Sequence, residues 1–198
     1  DKDPLDAYGE EKYASELYLK SVWLEYGFPA TIVMPGQISG PGWNIINPWG
    51  NISLRPFEII ARGEEIKLPN FGMETLHHVH GYDVAQCFFK AVTHRDNALG
   101  ESFDAVSGGS ITLYGYARLL YECFDQEPKI SFLPWDEWCE YEGDPDECEA
   151  TYLHIARSGF FSTSKGEELI DYHPRYSNVE TIWLAVQSLI DRGLVTVD

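Results

Sequence analysis

The apolar and polar positions of the chain alternate between helix-like and strand-like spacing. From about Asp6 to Gly27 the apolar residues keep a helical period: Tyr13, Leu17 and Leu24 share one stripe, with Ala14, Tyr18 and Val22 beside it. Gly27-Phe28-Pro29 stops that helix, because glycine accepts a left-handed cap and proline cannot continue the helix. Ala30 to Met34 is then a short, β-branched, apolar run, the pattern of a strand buried on both faces of a parallel sheet. Helix followed closely by buried strand is half of a βαβ repeat.

Residues 35 to 52 are rich in Gly, Pro and Asn and read as an ordered loop. Beyond them the spacing predicts a short helix near Pro56 to Arg62 and a strand near Ile66 to Leu68. Next come a helix from about Tyr82 to His94, a strand from Ser102 to Val106, a helix from Leu113 to Phe124 and a strand from Lys129 to Leu133. Two late helices are announced by Ser164 with Glu167 and Ser177 with Glu180, both at capping-box spacing, and the last ends at Gly193. The fold class is therefore α/β. A free-standing doubly wound domain opens with a strand and a glycine-rich turn, whereas this chain opens on a helix, so a strand-bearing portion is expected upstream.

Composition narrows the classes of function. With 198 residues, 44% hydrophobic and 14% aromatic, the chain suits one globular domain or two small ones. No apolar run approaches the roughly 20 residues of a membrane span, and Asp1-Lys2-Asp3-Pro4 lacks the features of a signal peptide. Cys87, Cys123, Cys139 and Cys148 show no close zinc or redox spacing, which predicts reduced thiols and a cytoplasmic location. A net charge of -18 repels phosphate backbones and anionic bilayers, excluding nonspecific nucleic-acid and membrane-surface binding. A locally positive pocket for a nucleotide stays compatible with it.

The segment Tyr8-Gly9-Glu10-Glu11-Lys12-Tyr13-Ala14-Ser15-Glu16 carries the chemistry. Tyr8 and Lys12 are four apart, one turn from each other on one helix face. An ammonium beside a phenol favours the phenolate, which suits a base that removes a hydroxyl proton while hydride leaves the adjoining carbon. Spacing alone does not separate this from an ordinary exposed helix pair.

Context does. The helix, the buried strand and Pro35-Gly36-Gln37-Ile38-Ser39-Gly40-Pro41-Gly42 follow one another as in the extended short-chain dehydrogenase/reductases of the NAD-dependent epimerase/dehydratase family, which the chain resembles. His77 to Ala85 resembles that family's "hVxDvA" segment and Gly100 to Leu120 its strand-turn-helix. Ser164-Lys165 through Tyr176-Ser177 resembles its closing element, so the likeness runs along nearly the whole chain in order.

The resemblance implies the C-terminal part of a Rossmann-type doubly wound sheet plus a small α/β substrate-binding domain. Residues 1–42 would supply the catalytic helix, one sheet strand and the cofactor-side loop. Residues 43–198 would be mainly substrate-binding, with some segments returning to the Rossmann part. It implies Tyr8 as acid/base, with Lys12 its cationic partner holding the nicotinamide ribose. Pro35, Gly36 and Ile38 would pass beside the nicotinamide of NAD or NADP, and Gln37, Trp43 and Arg55 would face a sugar or nucleotide-sugar. It also implies a homodimer formed through the Tyr-bearing helix.

The family's G-x-x-G-x-x-G cofactor fingerprint has no counterpart in these residues, and no Ser or Thr precedes Tyr8. The resemblance therefore implies that an N-terminal Rossmann half is missing from the chain, and that the chain alone is inactive. Met34 and Leu76 stand where relatives often carry Arg, and Tyr82 where they carry an acid, which weakens the case for a diphosphate-bearing sugar. A noncatalytic relative acting as a binding or structural module is the alternative.

Three other features have plain readings. His77, His78 and His80 belong to a strand entering a helix rather than a metal site, for which no donor set is expected. The eight acidic residues from Asp136 to Glu149 have no EF-hand pattern and read as a solvated helix face, with Trp and Tyr packing back. Core packing is the default for the tryptophans, and Trp43 and Trp49 are the better candidates for a carbohydrate platform, since both lie in the glycine-rich loop.

Overall fold

The computed structural model describes residues 3–196; Asp1 and Lys2 of the polar N-terminal stretch lie outside it. Helix α1 (Ala7–Tyr26) starts where the Asp6 side chain accepts a hydrogen bond from Gly9 N, and stops at Gly27, which takes φ 65°. Strands β1 (Ile32–Pro35) and β2 (Gln37–Ser39) follow, the second lying inside the stretch expected to be loop. Then come α2 (Arg55–Ala61), β3 (Ile66–Pro69), β4 (Thr75–Leu76), β5 (His78–His80), α3 (Gly81–Thr93), α4 (Arg95–Ala98) and β6 (Ser102–Ala105). The chain continues through β7 (Ile111–Thr112), α5 (Leu113–Cys123), β8 (Ile130–Leu133), α6 (Trp135–Glu142), α7 (Pro145–Ile155), α8 (Ser164–Ile170) and α9 (Asn178–Asp191).

Parallel ladders join β1 to β6, β2 to β5 and β3 to β8, while β4 and β7 pair antiparallel. The parallel partners are far apart in sequence and need helical crossovers between them. This is the mixed α/β architecture that the alternation of elements predicts, with the parallel pairing that the resemblance implies. Two apolar clusters hold it. The larger contains Trp49, Phe57, Leu68, Tyr116, Trp138 and Ile182. The smaller gathers Val79, Val84, Phe103, Ala105, Ile170 and Tyr172 behind β1, β2 and β6.

Several local expectations fail for identifiable reasons. The stripe on α1 is exposed at Leu17, Tyr18 and Leu24, and the residue the helix buries is Glu16. Its carboxylate accepts from Ser102 Oγ at 2.8 Å and pairs with Lys20 at 2.7 Å. Strand β1 is half-buried rather than buried on both faces, and its ladder partner among the described residues is β6. Helix α8 is not closed by a Ser164–Glu167 box; Thr163 occupies the cap position, and its hydroxyl bonds the Glu167 carboxylate. At α9 the Ser177–Glu180 box is present in full. The expectation of four reduced thiols is corrected as well. The short Gly143-Asp144 turn folds α7 back on α6, bringing the Cα atoms of Cys139 and Cys148 to 5.6 Å, and the two are disulfide-bonded. Cys87 and Cys123 are free, and burial pushes each thiol up to about 11.

Two buried polar residues tie these elements together. Asp83, in the first turn of α3, is fully buried, and its two carboxylate oxygens accept from Arg175 N at 2.8 Å and Tyr176 N at 3.0 Å. That fastens the approach to α9 onto α3. Asp83→Ala leaves two part-buried amides without their acceptor. It should cost on the order of 3 kcal/mol in urea unfolding, with Asp83→Asn costing less because one acceptor oxygen survives. A loss under about 0.5 kcal/mol, the scale of ordinary surface substitutions, would show that the contact does not hold the fold.

His78 in β5 is buried completely, with Nδ1 3.0 Å from Ser39 Oγ and its ring edge-on to Tyr116 at 5.5 Å. Burial first, and then the neighbouring His77 and His154, lower its pKa from 6.5 to about 3. Below about pH 6.5 the unfolded chain therefore binds a proton that the fold refuses. Stability should fall as pH drops through this window, by up to about 1.4 kcal/mol per pH unit from this group, and be independent of it at higher pH. His78→Leu, although weaker at neutral pH, should show a shallower loss between pH 6.5 and 4.5 in urea titrations. An unaltered slope would remove His78 as the cause.

Candidate functional site

The Asp6 cap fixes where α1 begins, and so places Tyr8 and Lys12 one turn apart in its first two turns. Lys12 Nζ lies 5.1 Å from the centroid of the Tyr8 ring. Both side chains face open space, Tyr8 being 68% exposed. An ammonium and a phenol held this way can bond adjacent hydroxyls of a ribose or sugar, so the donor set fits the ribose end of a nicotinamide dinucleotide.

The loop side of the candidate site is built at the carboxyl end of β1, the end of a parallel strand at which open α/β sheets bind ligands. Pro35 is exposed there. Gly36 N donates to Ala105 O at 3.1 Å, the last bond toward β6, and Gln37 N donates to His77 O at 3.0 Å, the first toward β5. A Cβ at residue 36 would lie 2.4 Å from His77 O, so glycine is required for this exchange of partners. The Gln37 carboxamide oxygen accepts from His77 N at 2.7 Å, anchoring that side chain across the ladder. Ile38 packs into the smaller apolar cluster.

The remaining sequence candidates separate. Trp43 is 56% exposed on a turn whose amide donates to Gly40 O. Trp49 is no carbohydrate platform: it is wholly buried, its indole nitrogen donates to Lys67 O at 2.8 Å, and its ring meets Trp138 and Tyr141 edge-on. Arg55 lies over the Trp49 and Tyr141 rings at 5.3 and 5.2 Å and donates to Glu142 O at 2.9 Å. Thus Pro35, Gly36, Gln37 and Ile38 share one strand end, Tyr8 and Lys12 sit on α1, and Arg55 joins the aromatic cluster beneath α6.

The histidines act locally. His77 bonds Ser107 O through Nε2 at 2.8 Å and accepts from Phe161 N through Nδ1, with Phe160 and Phe161 stacked on it. Burial lowers its pKa. His80 caps α3 by accepting from Tyr82 N and stacks on Tyr176 at 4.1 Å; burial lowers it too. Sequence reasoning missed the Ser39–His78 pair behind Gln37, whose only signal was a hydroxyl two residues after Gln37. Among the described residues, no three His, Cys, Asp or Glu side chains group as metal ligands, and no helix is long and apolar enough to cross a membrane.

No curated protein sequence matches the chain. Solved structures do. UDP-glucose 4-epimerase from Thermotoga maritima, determined with UDP-glucose, matches with TM-score 0.67 and 23% identity over 96% of this chain and 55% of that one. A dTDP-glucose 4,6-dehydratase from Bacillus anthracis in complex with NAD gives TM-score 0.72 at 14% identity, over 98% of this chain and 55% of that one. UDP-glucuronic acid 4-epimerase from Bacillus cereus in complex with NAD gives 0.70 at 13%, over 97% and 55%. At these identities the likeness is one of fold, and the chain spans about half the length of each structure. The sequence model of the NAD dependent epimerase/dehydratase family matches residues 1–105, more than half of the chain. The chain belongs to the NAD-dependent epimerase/dehydratase family.

Proposed function

We propose that this chain carries the acid/base and substrate-side part of an NAD(P)-dependent epimerase/dehydratase-type oxidoreductase acting on a sugar or nucleotide-sugar hydroxyl. The observation that carries the reading is the exposed Tyr8–Lys12 pair, one helical turn apart, in a chain of this family. A bound nicotinamide dinucleotide supplies the hydride acceptor for such chemistry. Tyr8 takes the substrate hydroxyl proton at its phenolic oxygen as the carbinol carbon loses hydride, and returns it in the reverse step. Lys12 stabilises the negative charge on that oxygen and, with Tyr8, bonds the ribose. Pro35, Gly36 and Ile38 flank the nicotinamide, while Gln37, Trp43 and Arg55 serve the sugar side. In this reading residues 1–42 belong to the cofactor-side unit and residues 43–198 mainly to the substrate-side one.

The reading needs a βαβαβ cofactor-binding half, joined upstream or supplied by a separate polypeptide. The half-length match to the NAD-bound structures supports it. So do the exposed Leu17 and Leu24, two turns apart on one stripe of α1 and suited to that half or to the same helix of a homodimer partner. One observation favours the alternative, a noncatalytic binding or structural module. Leu76, where relatives often carry a substrate-binding Arg, is sealed in the larger core.

The test is made on the protein together with its cofactor-binding half. Tyr8→Phe should keep NAD or NADP binding, while single-turnover hydride transfer, followed by nicotinamide absorbance, falls by roughly 10²–10⁴-fold. Lys12→Met should weaken binding and transfer together. Undiminished turnover in Tyr8→Phe removes that residue from the chemistry, and absence of cofactor binding by the complete protein decides for the noncatalytic module.

A further inference from the structure

The hairpin of α6 and α7 bears a surface that the proposed oxidoreductase does not use. A groove of about 770 Å³ runs between the two helices, lined by Trp135, Cys139, Glu140, Cys148, Glu149 and Tyr152 among others. The Trp135 and Tyr152 rings meet at 6.1 Å with a 59° tilt, and Trp135 is backed by Trp138 at 5.5 Å. Tyr152 is 49% exposed. The Cys139–Cys148 bridge ties the two walls together, so the groove exists before anything enters it.

The charge of the hairpin itself is one-sided, with Arg55 and Lys67 reaching the Tyr141 ring from α2 and β3. Eight carboxylates fall between Asp136 and Glu149, and no Lys or Arg stands between Lys129 and Arg157. Each described ion pair lies elsewhere in the fold. Glu147 Oε2 is buried without a hydrogen-bond partner. Burial, and then Glu142 and Asp144, push the Glu147 carboxyl up. Carboxylates alone would make a solvated helix surface. Carboxylates flanking a preformed aromatic groove make a receptor for a cation, because a ring face and an anion attract the same charge.

We propose that this groove docks a basic segment of a partner protein, with a lysine or arginine side chain against Trp135 and Tyr152, between Glu140 and Glu149. The acid is spread along both helices, so a single small amine would engage a fraction of it, whereas a segment with several cations engages it along its length. A second copy of this chain, whose 14 Lys and Arg residues are scattered, offers no basic run to this groove.

The probe is a ten-residue peptide of alternating arginine and glycine, titrated into the intact chain while tryptophan fluorescence is followed. Controls are the same peptide with glutamate for arginine, and spermidine. The arginine peptide should bind and weaken as salt rises; the glutamate peptide should not bind. Glu140→Gln with Glu149→Gln, both exposed positions, should weaken it about tenfold. Trp135→Phe, which keeps a ring, should weaken it less. A charge-matched pair outside the groove, Glu122→Gln with Glu127→Gln, should leave binding almost unaltered. Equal weakening by both pairs would reduce the effect to net charge and overturn the site. Spermidine binding as tightly as the peptide would overturn the peptide assignment.

Discussion

At Gly36 the backbone changes partners, and the arrangement of the candidate site depends on that single close approach. The amide of residue 36 completes the ladder to β6, and the amide of residue 37 opens the ladder to β5. The requirement is space rather than conformation, for Gly36 is not among the glycines with positive φ. A methyl group would sit 2.4 Å from His77 O and 3.1 Å from Val106 Cγ1, and backbone on the far side cannot yield as a side-chain tip could. Because the approach is tight, β2 runs in register with β5, Gln37 opposite His78 and Ser39 opposite His80. The pairing then brings the Ser39 hydroxyl to His78, which burial keeps neutral and therefore tolerable inside the core.

What was legible in the sequence was what short-range chemistry decides. The limits of α1 follow from an Asp cap and a left-handed Gly, both within one turn of the helix ends. The Ser177–Glu180 box spans three residues and formed as read. The spacing of Tyr8 and Lys12 is likewise a property of one helix, so their proximity could be stated in advance. Strand β2 was hidden because three residues carry no periodicity, and its partner lies forty residues on, where the Gln37 carboxamide meets His77 N. Trp49 misled for the same reason. Its neighbours suggest a surface loop, but its indole is fixed by the carbonyl of Lys67, on a strand the sequence does not link to it.

Buried polar groups were the other blind spot. An amphipathic reading of α1 selects leucines and tyrosines, yet the side chain the helix buries is Glu16, held by Ser102 across the chain and by Lys20 one turn on. Periodicity measures apolar content and is blind to a carboxylate whose partners are supplied by another element. The same holds for Asp83, which reads as a helix-terminal acid and serves instead as the acceptor that fixes the chain entering α9.

The exposed apolar residues of α1 and α3 then take on meaning beside β1. Phe88 and Val92 of α3, with Thr31 and Val33, border a groove of about 290 Å³ on that side of the fold. Phe88, Phe89 and Val92 are exposed on α3, and Leu17 and Leu24 are exposed on α1, which meets the other face of β6 through Glu16 and Ser102. The run from Ala30 to Met34 is β-branched enough for a strand covered on both faces, but Ile32 and Val33 are only half-buried and one edge of β1 has no ladder partner among the described residues. The larger cluster, by contrast, buries Trp49, Trp138 and Tyr116 completely. Apolar surface left uncovered beside β1 is what the proposed further layer would bury, since apolar side chains gain when water is removed from them. That uncovered side reaches from Val33 back to Thr31 and Pro29, and it supports placing the proposed cofactor-binding half along β1.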